Sequence, residues 1–226
     1  MRHTEIKWWS PGRQTELGWP PRKEKQTDGN WTNYTDCWRR LTDLLDKNGL
    51  DFNSFGRVLD FGCGYGRLIQ CMDFHQQEVW GVDIDKERVM WCKEKLHPDL
   101  NFLRVQSTHL PFKDDYFDFI LCYNVFTEIG EDYLDWLLEL RRLSNIMFVT
   151  IYDESTIFNL NTLPDDIERA RDSLRFYWHE NFRMIHNYNK TFYRAYNFKE
   201  QMEKYFKIIE YVPDMWEGQT GVLLTG

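Results

Sequence analysis

The sequence predicts an α/β fold in which helices cover a mostly parallel, doubly wound β-sheet. Short apolar segments typical of strands alternate with amphipathic segments typical of helices between residues 57 and 151. The segment Ile146–Ile151 is almost continuously apolar, which is typical of a strand buried on both faces. Both patterns indicate parallel strands that are joined by helical crossovers.

Each element is predicted from its periodicity and its boundary residues. Thr35 or Asp36 can cap a first helix, whose apolar stripe runs from Trp38 to Leu45, and Gly49 can end it. The other elements predicted in the first half of the chain are strands at 57–61, 79–82 and 102–105 and helices at 67–74 and 86–96.

The second half of the chain continues this alternation before its composition changes. The elements predicted there are strands at 117–122 and 146–151, a helix at 131–143, a long polar-aromatic helix from Pro164 and Asp165, a helix capped by Asn197, and closing strands at 207–212 and 221–224. Residues 1–34 are predicted to form an irregular arm. Residues 35–226 are predicted to form one domain, which includes a helical lid at about 160–206.

Composition and charge exclude several classes of protein. The 226 residues are 42% hydrophobic, and 28 Lys and Arg against 36 Asp and Glu give a net charge of −8, which argues against affinity dominated by nucleic-acid phosphates. No segment approaches the roughly 18 apolar residues of a membrane span, and the N-terminus lacks an apolar signal. Five cysteines without C-x-x-C spacing indicate a reducing compartment. The sequence therefore predicts a cytoplasmic protein with no membrane segment, disulfide or metal site.

A glycine-rich turn after the first strand carries the strongest functional signal. The chain reads G-x-G-x-G at Gly62, Gly64 and Gly66, and Asp83 ends the second strand. Glycine lets a backbone turn tightly and approach a ligand, and a helix after the turn presents unpaired N–H groups. A carboxylate at the end of the second strand can accept hydrogen bonds from the ribose hydroxyls of an adenosine. The alternative is a purely structural turn between a strand and a helix.

The segments VLDFGCGYGR, GVDID and LPFKDDYFDFILCYNVFTEI resemble the class I S-adenosylmethionine-dependent methyltransferases, and the resemblance covers residues 35–152. It implies a Rossmann-like, seven-stranded sheet, mostly parallel with an antiparallel C-terminal strand and with helices on both faces. It also implies S-adenosylmethionine as cofactor and S-adenosylhomocysteine as product. The residues that it places at the cofactor are Asp60 near the methionine ammonium, Gly62, Cys63, Gly64, Gly66 and Arg67 in the turn, Asp83 at the ribose, Ile84 or Asp85 beside the adenine, the loop of Gln106, Ser107 and Thr108, and Asn124. Relatives usually carry an aspartate at the position of Gln106.

The candidate catalytic residues follow the fourth strand, because ligands of open α/β sheets lie beyond the carboxyl ends of the strands. These residues are Tyr123, Asn124 and Glu128. Residues 124–129 resemble S-V-F-T-H-L of bacterial methyltransferases linked to glycan and natural-product modification, with Glu128 at the position of the histidine. Glu128 can act as the base that takes a hydroxyl proton if burial raises its pKa, or it can be a surface charge at a helix start.

The resemblance implies O-methylation of a small polar acceptor such as a sugar, a glycan precursor or a nucleotide-sugar. The alternatives are an RNA or protein methyltransferase, a nicotinamide-dependent oxidoreductase and a non-catalytic subunit that binds S-adenosylmethionine. The G-x-G-x-G spacing and the setting of Asp83 argue against the oxidoreductase. Nucleic acid is disfavoured by the acidic balance and by residues 122–125, which do not read N/D-P-P-Y/F. A homo-oligomer is left open.

Overall fold

Seven strands form a β-sheet in the part of the chain that the structure describes, which comprises residues 31–130, 132–158 and 191–226 of a computed structural model. The order of the strands across the sheet is β3-β2-β1-β4-β5-β7-β6. The strands are β1 (Arg57–Phe61), β2 (Glu78–Asp83), β3 (Asn101–Arg104), β4 (Phe119–Cys122), β5 (Ile146–Ile151), β6 (Lys207–Trp216) and β7 (Gln219–Thr225).

The directions of the strands confirm the Rossmann-like, mostly parallel sheet that the sequence predicts. The pairs β1–β2, β2–β3 and β4–β5 are parallel, whereas β7 runs antiparallel to both β5 and β6. The turn between β6 and β7 has positive φ at Glu217 (45°) and Gly218 (75°). Two consecutive positive φ angles fit the twist of a tight antiparallel hairpin. This turn therefore makes β7 the antiparallel strand near the C-terminus.

Five α-helices and two short 3₁₀ helices accompany the strands in the described ranges. They are α1 (Trp31–Lys47), α2 (Lys86–Lys95), α3 (Tyr133–Leu143), α4 (Glu154–Phe158) and α5 (Ala195–Met202), with 3₁₀ turns at Phe52–Ser54 and Ile69–Cys71. Asp85 caps α2, since its carboxylate accepts from the N–H groups of Glu87 and Arg88.

The chain comprises two compact units, Met1–Val105 and Gln106–Gly226, each with a buried apolar core. In the first unit, Leu45 of α1 and Leu59 of β1 are fully buried. In the second unit, every residue of β4 is fully buried, and so are Leu223 and Leu224 of β7. This burial accounts for the apolar character of the strand segments in the sequence.

Arg142, near the end of α3, holds the loop that leads into β4. Its guanidinium donates to the carboxylate of Glu139, to Asp114 Oδ1 and to the carbonyl oxygens of Leu110 and Phe112, at 2.6–3.2 Å. Burial alone would raise the pKa of Glu139, but the hydrogen bonds from Arg142 and from the Leu110 N–H outweigh it and lower that pKa. The pair is therefore charged, and it fixes the loop onto α3.

The first helix begins earlier than the sequence predicts. It starts at Trp31, so Thr35 and Asp36 lie inside the helix rather than at the predicted cap position. Asp36 instead accepts hydrogen bonds from Arg39 and Arg40, one turn further along. The predicted end is correct, because Gly49 has φ +74° and its N–H bonds to the carbonyl of Asp46.

The helix predicted at 67–74 is wrong, because this segment forms turns and a single 3₁₀ turn at Ile69–Cys71. The N–H groups of Cys71 and Met72 bond three residues back, to Leu68 and Ile69, rather than four. Asp73 then begins a new turn, in which its carboxylate accepts from the N–H of His75. Only six residues separate Gly66 from Asp73, fewer than the eight of the predicted helix.

The cap predicted for the late helix is also wrong. The helix α5 starts at Ala195, so Asn197 lies within it. The carboxylate of Glu154 accepts from the Ala195 N–H at 2.8 Å and takes the capping role from a distant part of the sequence. A local cap motif could not reveal this contact.

Two of the predicted regions lie outside the described residues. They are the greater part of the arm at 1–34 and the long helix predicted from Pro164 within the lid at 160–206. The division into an arm and one domain stays a prediction.

Replacing Gly66 by Ala should destabilise the protein more than replacing Gly49 by Ala. Both glycines have φ near +70°, which costs an L-residue about 1–2 kcal/mol. A Cβ at Gly49 would meet nothing within 4 Å, whereas at Gly66 it would lie 2.6 Å from Leu96 Cδ1. Crowding should add about 1 kcal/mol to the cost of Gly66→Ala, measured by urea unfolding. Equal losses in the two variants would show that α2 does not pack tightly on the turn.

Candidate functional site

The glycine turn after β1 is closed by hydrogen bonds to the end of β2. Gly62, Gly64 and Gly66 all have positive φ, at 76°, 55° and 69°. The N–H groups of Gly62 and Cys63 both donate to the carbonyl of Val82, at 2.8 and 3.0 Å. These donors are engaged within the protein, and the helix predicted to supply free N–H groups is not formed. The turn therefore offers close backbone approach rather than a helix N-terminus.

Asp83, the last residue of β2, links the turn to the start of α2. Its Oδ2 accepts from the Gly64 N–H and its Oδ1 from the Asp85 N–H, both at 2.8 Å. The side chain is 7% exposed. A carboxylate offers about four lone pairs, so two remain for hydroxyl donors of a ligand. This arrangement can bind the vicinal hydroxyls of a ribose.

Asp60, the fourth residue of β1, is a buried carboxylate beside Asp83. Burial, and then the negative charge of Asp83, raise the pKa of Asp60 to about 7, while the positive charge of Arg67 opposes the rise. Among the described residues, none donates a hydrogen bond to the Asp60 carboxylate, which is 3% exposed. A cationic group of a ligand would stabilise the ionised form, so Asp60 suits an ammonium.

The surface of the turn is open at Gly64. A Cβ built there would meet no atom within 4 Å, whereas the thiols of Cys63 and Cys92 lie against its carbonyl oxygen, at 3.8 and 3.4 Å. Ile84, just after Asp83, is 68% exposed, an unusual state for a large apolar side chain and one that suits contact with a planar base. The turn thus combines an open backbone surface with an apolar side chain.

The structure gives Arg67 a packing role that the sequence did not reveal. Its guanidinium lies 4.2 Å from the ring centroid of Tyr34 in α1, a cation–π distance. Arg67 therefore ties the glycine turn to α1 in addition to facing Asp60 electrostatically.

The loop after β3 is exposed at Gln106, Ser107 and Thr108. Ser107 Oγ donates to the carbonyl of His109 at 3.1 Å, which shapes the loop from within. Contact of these residues with an adenine stays a prediction.

In the second unit, Asn124 follows β4 with φ +57°, a left-handed conformation that Asn tolerates better than most residues. Its N–H donates to Thr150 Oγ1 of β5 at 2.8 Å. Its Oδ1 accepts from Thr127 Oγ1 at 3.0 Å and from Gln219 Nε2 of β7 at 3.1 Å. Two strands, β5 and β7, and the turn that contains Thr127 therefore fix one predicted site residue. The sequence carried a signal for this, since Thr150 is the polar residue within an apolar strand.

Glu128 and Tyr123 differ in exposure. Tyr123 is half-buried, whereas Glu128 is exposed, and its N–H bonds to the carbonyl of Val125 within a turn. A base role for Glu128 was tied to burial, and the described residues do not bury it. The roles of both side chains stay predictions.

Asp153, just after β5, is a buried carboxylate of a different kind. It accepts from Ser155 N and Oγ at 2.8 and 2.6 Å, from Thr220 Oγ1 at 2.8 Å and from the hydroxyl of Tyr211. Burial and the adjacent Asp153 charge raise the pKa of Tyr211, so the phenol stays a donor. All of the roughly four lone pairs of Asp153 are used, so it joins β5, β6 and β7 rather than binding a ligand.

Comparison with known proteins identifies the type of domain. Residues 59–145 match the family model described as a methyltransferase domain. The uncharacterized methyltransferase YcgJ of Bacillus subtilis is 39% identical over 70 residues, which are 29% of this chain and 28% of the relative. The uncharacterized protein MJ0638 of Methanocaldococcus jannaschii is 31% identical over 86 residues, which are 38% of this chain and 35% of the relative. The matched region spans about a third of the length of these two curated relatives.

A solved structure extends the likeness to the whole fold. The magnesium protoporphyrin IX methyltransferase of Synechocystis PCC 6803, solved with bound S-adenosylhomocysteine, has a TM-score of 0.63 at 13% identity, covering 94% of this chain and 91% of that one. At this identity the likeness shows a shared fold. The fold described above is thus similar to that of this solved methyltransferase.

Replacing Asp60 by Asn should stabilise the protein at about pH 8. The unfolded carboxyl ionises near pH 4 and the folded one only near 7, so stability falls as the pH rises between these values. Asn carries no charge to bury, and the free energy of unfolding should rise by about 1–4 kcal/mol at about pH 8 and by less at about pH 5.

Urea unfolding at the two pH values measures this difference. Asp51→Asn is the control, because Asp51 is exposed and Asn caps a helix equally well. A destabilised Asp60→Asn variant at both pH values would show that a hydrogen bond, not burial of charge, dominates at this position.

Proposed function

We propose that the chain is a class I S-adenosylmethionine-dependent methyltransferase, and that it transfers a methyl group from S-adenosylmethionine to an oxygen of a small polar acceptor. The observation that carries the proposal is the Asp83 carboxylate, held by the Gly64 N–H with lone pairs left for two hydroxyls. A sugar, a glycan precursor or a nucleotide-sugar is the proposed class of acceptor.

The residues of the first unit fit this cofactor. Asp83 would hold the ribose hydroxyls, and Asp60 would face the methionine ammonium, whose charge compensates its burial. Gly64 leaves the turn open for close approach, and Ile84 offers an apolar surface to the adenine. The ribose, the methionine ammonium and the adenine thus each have a partner of suitable chemistry. The Cys63 thiol contacts the carbonyl oxygen of Gly64, and the Arg67 guanidinium packs on the ring of Tyr34.

S-adenosylmethionine, when bound, supplies a methyl group on a positively charged sulfur, so an acceptor oxygen forms the new C–O bond while the C–S electron pair stays on sulfur. The protein can act by holding the acceptor oxygen in line and by receiving its proton. Asn124 is the candidate for positioning, since two hydrogen bonds fix its side-chain amide and a third fixes its backbone N–H. Glu128 is the candidate for the base, and Tyr123, which precedes Asn124, is the third candidate catalytic residue.

The charge of −8 supports a small acceptor over nucleic acid. None of the helices in the described ranges combines the length and the apolar character of a membrane span. All five cysteines are free thiols, and four of them are buried, which supports a reducing compartment such as the cytoplasm.

The RNA or protein methyltransferase and the non-catalytic binding subunit are the competing proposals, and a panel of acceptors separates them. A homo-oligomer stays an open part of the proposal.

Replacing Asp83 by Asn should weaken binding of S-adenosylhomocysteine by about 10- to 100-fold, because a charge-assisted hydrogen bond contributes about 1.5–3 kcal/mol. Isothermal titration calorimetry measures this affinity, with NAD as the competing ligand. Asp51→Asn, on the exposed cap of the first 3₁₀ turn, should bind as the original protein does. Equal affinities in Asp83→Asn and the original protein would remove the ribose role, and tighter binding of NAD would remove the proposed cofactor.

Replacing Glu128 by Gln should lower turnover about a hundredfold if Glu128 is the base, since Gln cannot take a proton. Release of S-adenosylhomocysteine with sugars and nucleotide-sugars measures turnover, and cofactor affinity should stay unchanged. Glu94→Gln, an exposed glutamate of α2, is the matched control. Full turnover in Glu128→Gln would leave Glu128 as a surface charge.

A further inference from the structure

The hydrogen bonds around Asn124 determine which way its side-chain amide points. The four residues involved, Asn124, Thr127, Thr150 and Gln219, all lie in the second unit. Thr127, Thr150 and Gln219 are at most 3% exposed, and Asn124 is half-buried. An amide has one end that accepts and one that donates, so its orientation decides what it can bind.

The orientation follows from the one group that cannot reverse its role. The backbone N–H of Asn124 can only donate, so Thr150 Oγ1 accepts from it at 2.8 Å. The hydroxyl hydrogen of Thr150 is then directed at the side chain of Gln219, 2.6 Å away, which must present Oε1. The other end of Gln219 is therefore Nε2, a donor.

Gln219 Nε2 lies 3.1 Å from the Asn124 amide, which must present its oxygen to this donor. Thr127 Oγ1 donates to the same oxygen at 3.0 Å. The Nδ2 group of Asn124 is thus turned away from the network. Among the described residues, none accepts a hydrogen bond from Nδ2.

We propose that Thr150 and Gln219 are positioning residues that hold Asn124 Nδ2 as a hydrogen-bond donor to an oxygen of the bound ligand. This inference rests on the proposed function. The oxygen belongs either to the methionine carboxylate of the cofactor or to the acceptor. The methionine ammonium is excluded as the partner of Asn124 Nδ2, because both groups carry only donors.

The same donor discriminates between acceptor atoms. A hydroxyl oxygen has two lone pairs, so it can accept from Asn124 with one and attack the methyl group with the other. An aliphatic amine nitrogen has one lone pair, and a hydrogen bond from Asn124 would occupy the pair needed for attack. An acceptor that meets Nδ2 at its reacting atom is therefore an alcohol or a carboxylate rather than an amine.

Nitrogen-15 NMR of the full chain tests the orientation directly. The side-chain NH₂ signals of Asn124 and Gln219 are assigned from Asn124→Asp and Gln219→Glu, each of which removes one signal pair. We expect the Gln219 NH₂ protons to exchange with water at least about fivefold more slowly than those of Asn124, because one of them is held in a buried hydrogen bond. The reverse ratio would overturn the orientation.

Ligand titrations observed at the same signals test the donor role. S-adenosylhomocysteine is added first, and acetate, methanol and methylammonium are then added separately to the complex. A shift of the Asn124 NH₂ signals with S-adenosylhomocysteine assigns the oxygen to the cofactor, and a further shift with acetate or methanol assigns it to the acceptor. Asn145 is the reference amide, since its Nδ2 donates to Asp115 at 3.3 Å. No shift with any oxygen ligand, or an equal shift with methylammonium, would overturn the proposal.

Substitutions at Thr150 separate positioning from packing. Thr150→Val keeps the shape and removes the hydroxyl, and it should reduce the ligand response at Asn124 by about fivefold or more. Thr150→Ser restores the hydroxyl and should return the response to within about twofold. A loss in both variants would assign the effect to the missing methyl group and overturn the positioning role. Calorimetry with S-adenosylhomocysteine reports the proposed function separately: binding without a response at Asn124 rejects this inference alone.

Discussion

The two hydrogen bonds of the Asp83 carboxylate determine the geometry of the first unit's site. One bond holds the glycine turn at Gly64, and the other holds the backbone at Asp85, where α2 begins. The turn needs this tie because three of its residues adopt positive φ and no α-helix follows to stabilise it. A carboxylate that is already oriented by two N–H groups loses little conformational entropy when it binds a hydroxyl. The group that shapes the turn is thus also prepared for a ligand.

This arrangement has an electrostatic cost at Asp60. Two carboxylates lie close together in a buried region, and Arg67 compensates the second charge only in part, since its guanidinium also packs on Tyr34. A site that is unfavourable for an anion alone becomes favourable when a cation enters, so the cost is recovered in binding. Exposure of Ile84 also carries a free-energy cost in the absence of a ligand, because an apolar side chain in water is stabilised when a flat ring covers it. The buried Asp60 carboxylate and the exposed Ile84 both lower stability in the free protein, and binding of a positively charged nucleoside would stabilise both.

The sequence predicted what depends on local pattern and missed what depends on distant partners. The strands and the turn were predicted, because apolar periodicity and glycine spacing are local, and the limits of β5 are correct at both ends. The helix predicted at 67–74 failed because i→i−3 hydrogen bonds and the Asp73 turn replace it. The α5 cap failed because Glu154, not Asn197, accepts from its first N–H. Contacts between residues far apart in sequence leave no periodic signal.

The residue types of the site are also predictable from the sequence, but the number of their hydrogen-bonding positions left for a ligand is not. Asp83 and Asp153 are both buried aspartates at the end of a strand, yet the first keeps lone pairs for a ligand and the second has none left. The side chain of Asn124, taken by itself, could serve as a donor or as an acceptor, because an amide does both. Only the chain of bonds through Thr150 and Gln219 makes it a donor. Since a donor beside the reacting atom favours an oxygen nucleophile over an amine, the proposed class of acceptor depends on two residues that need not touch it.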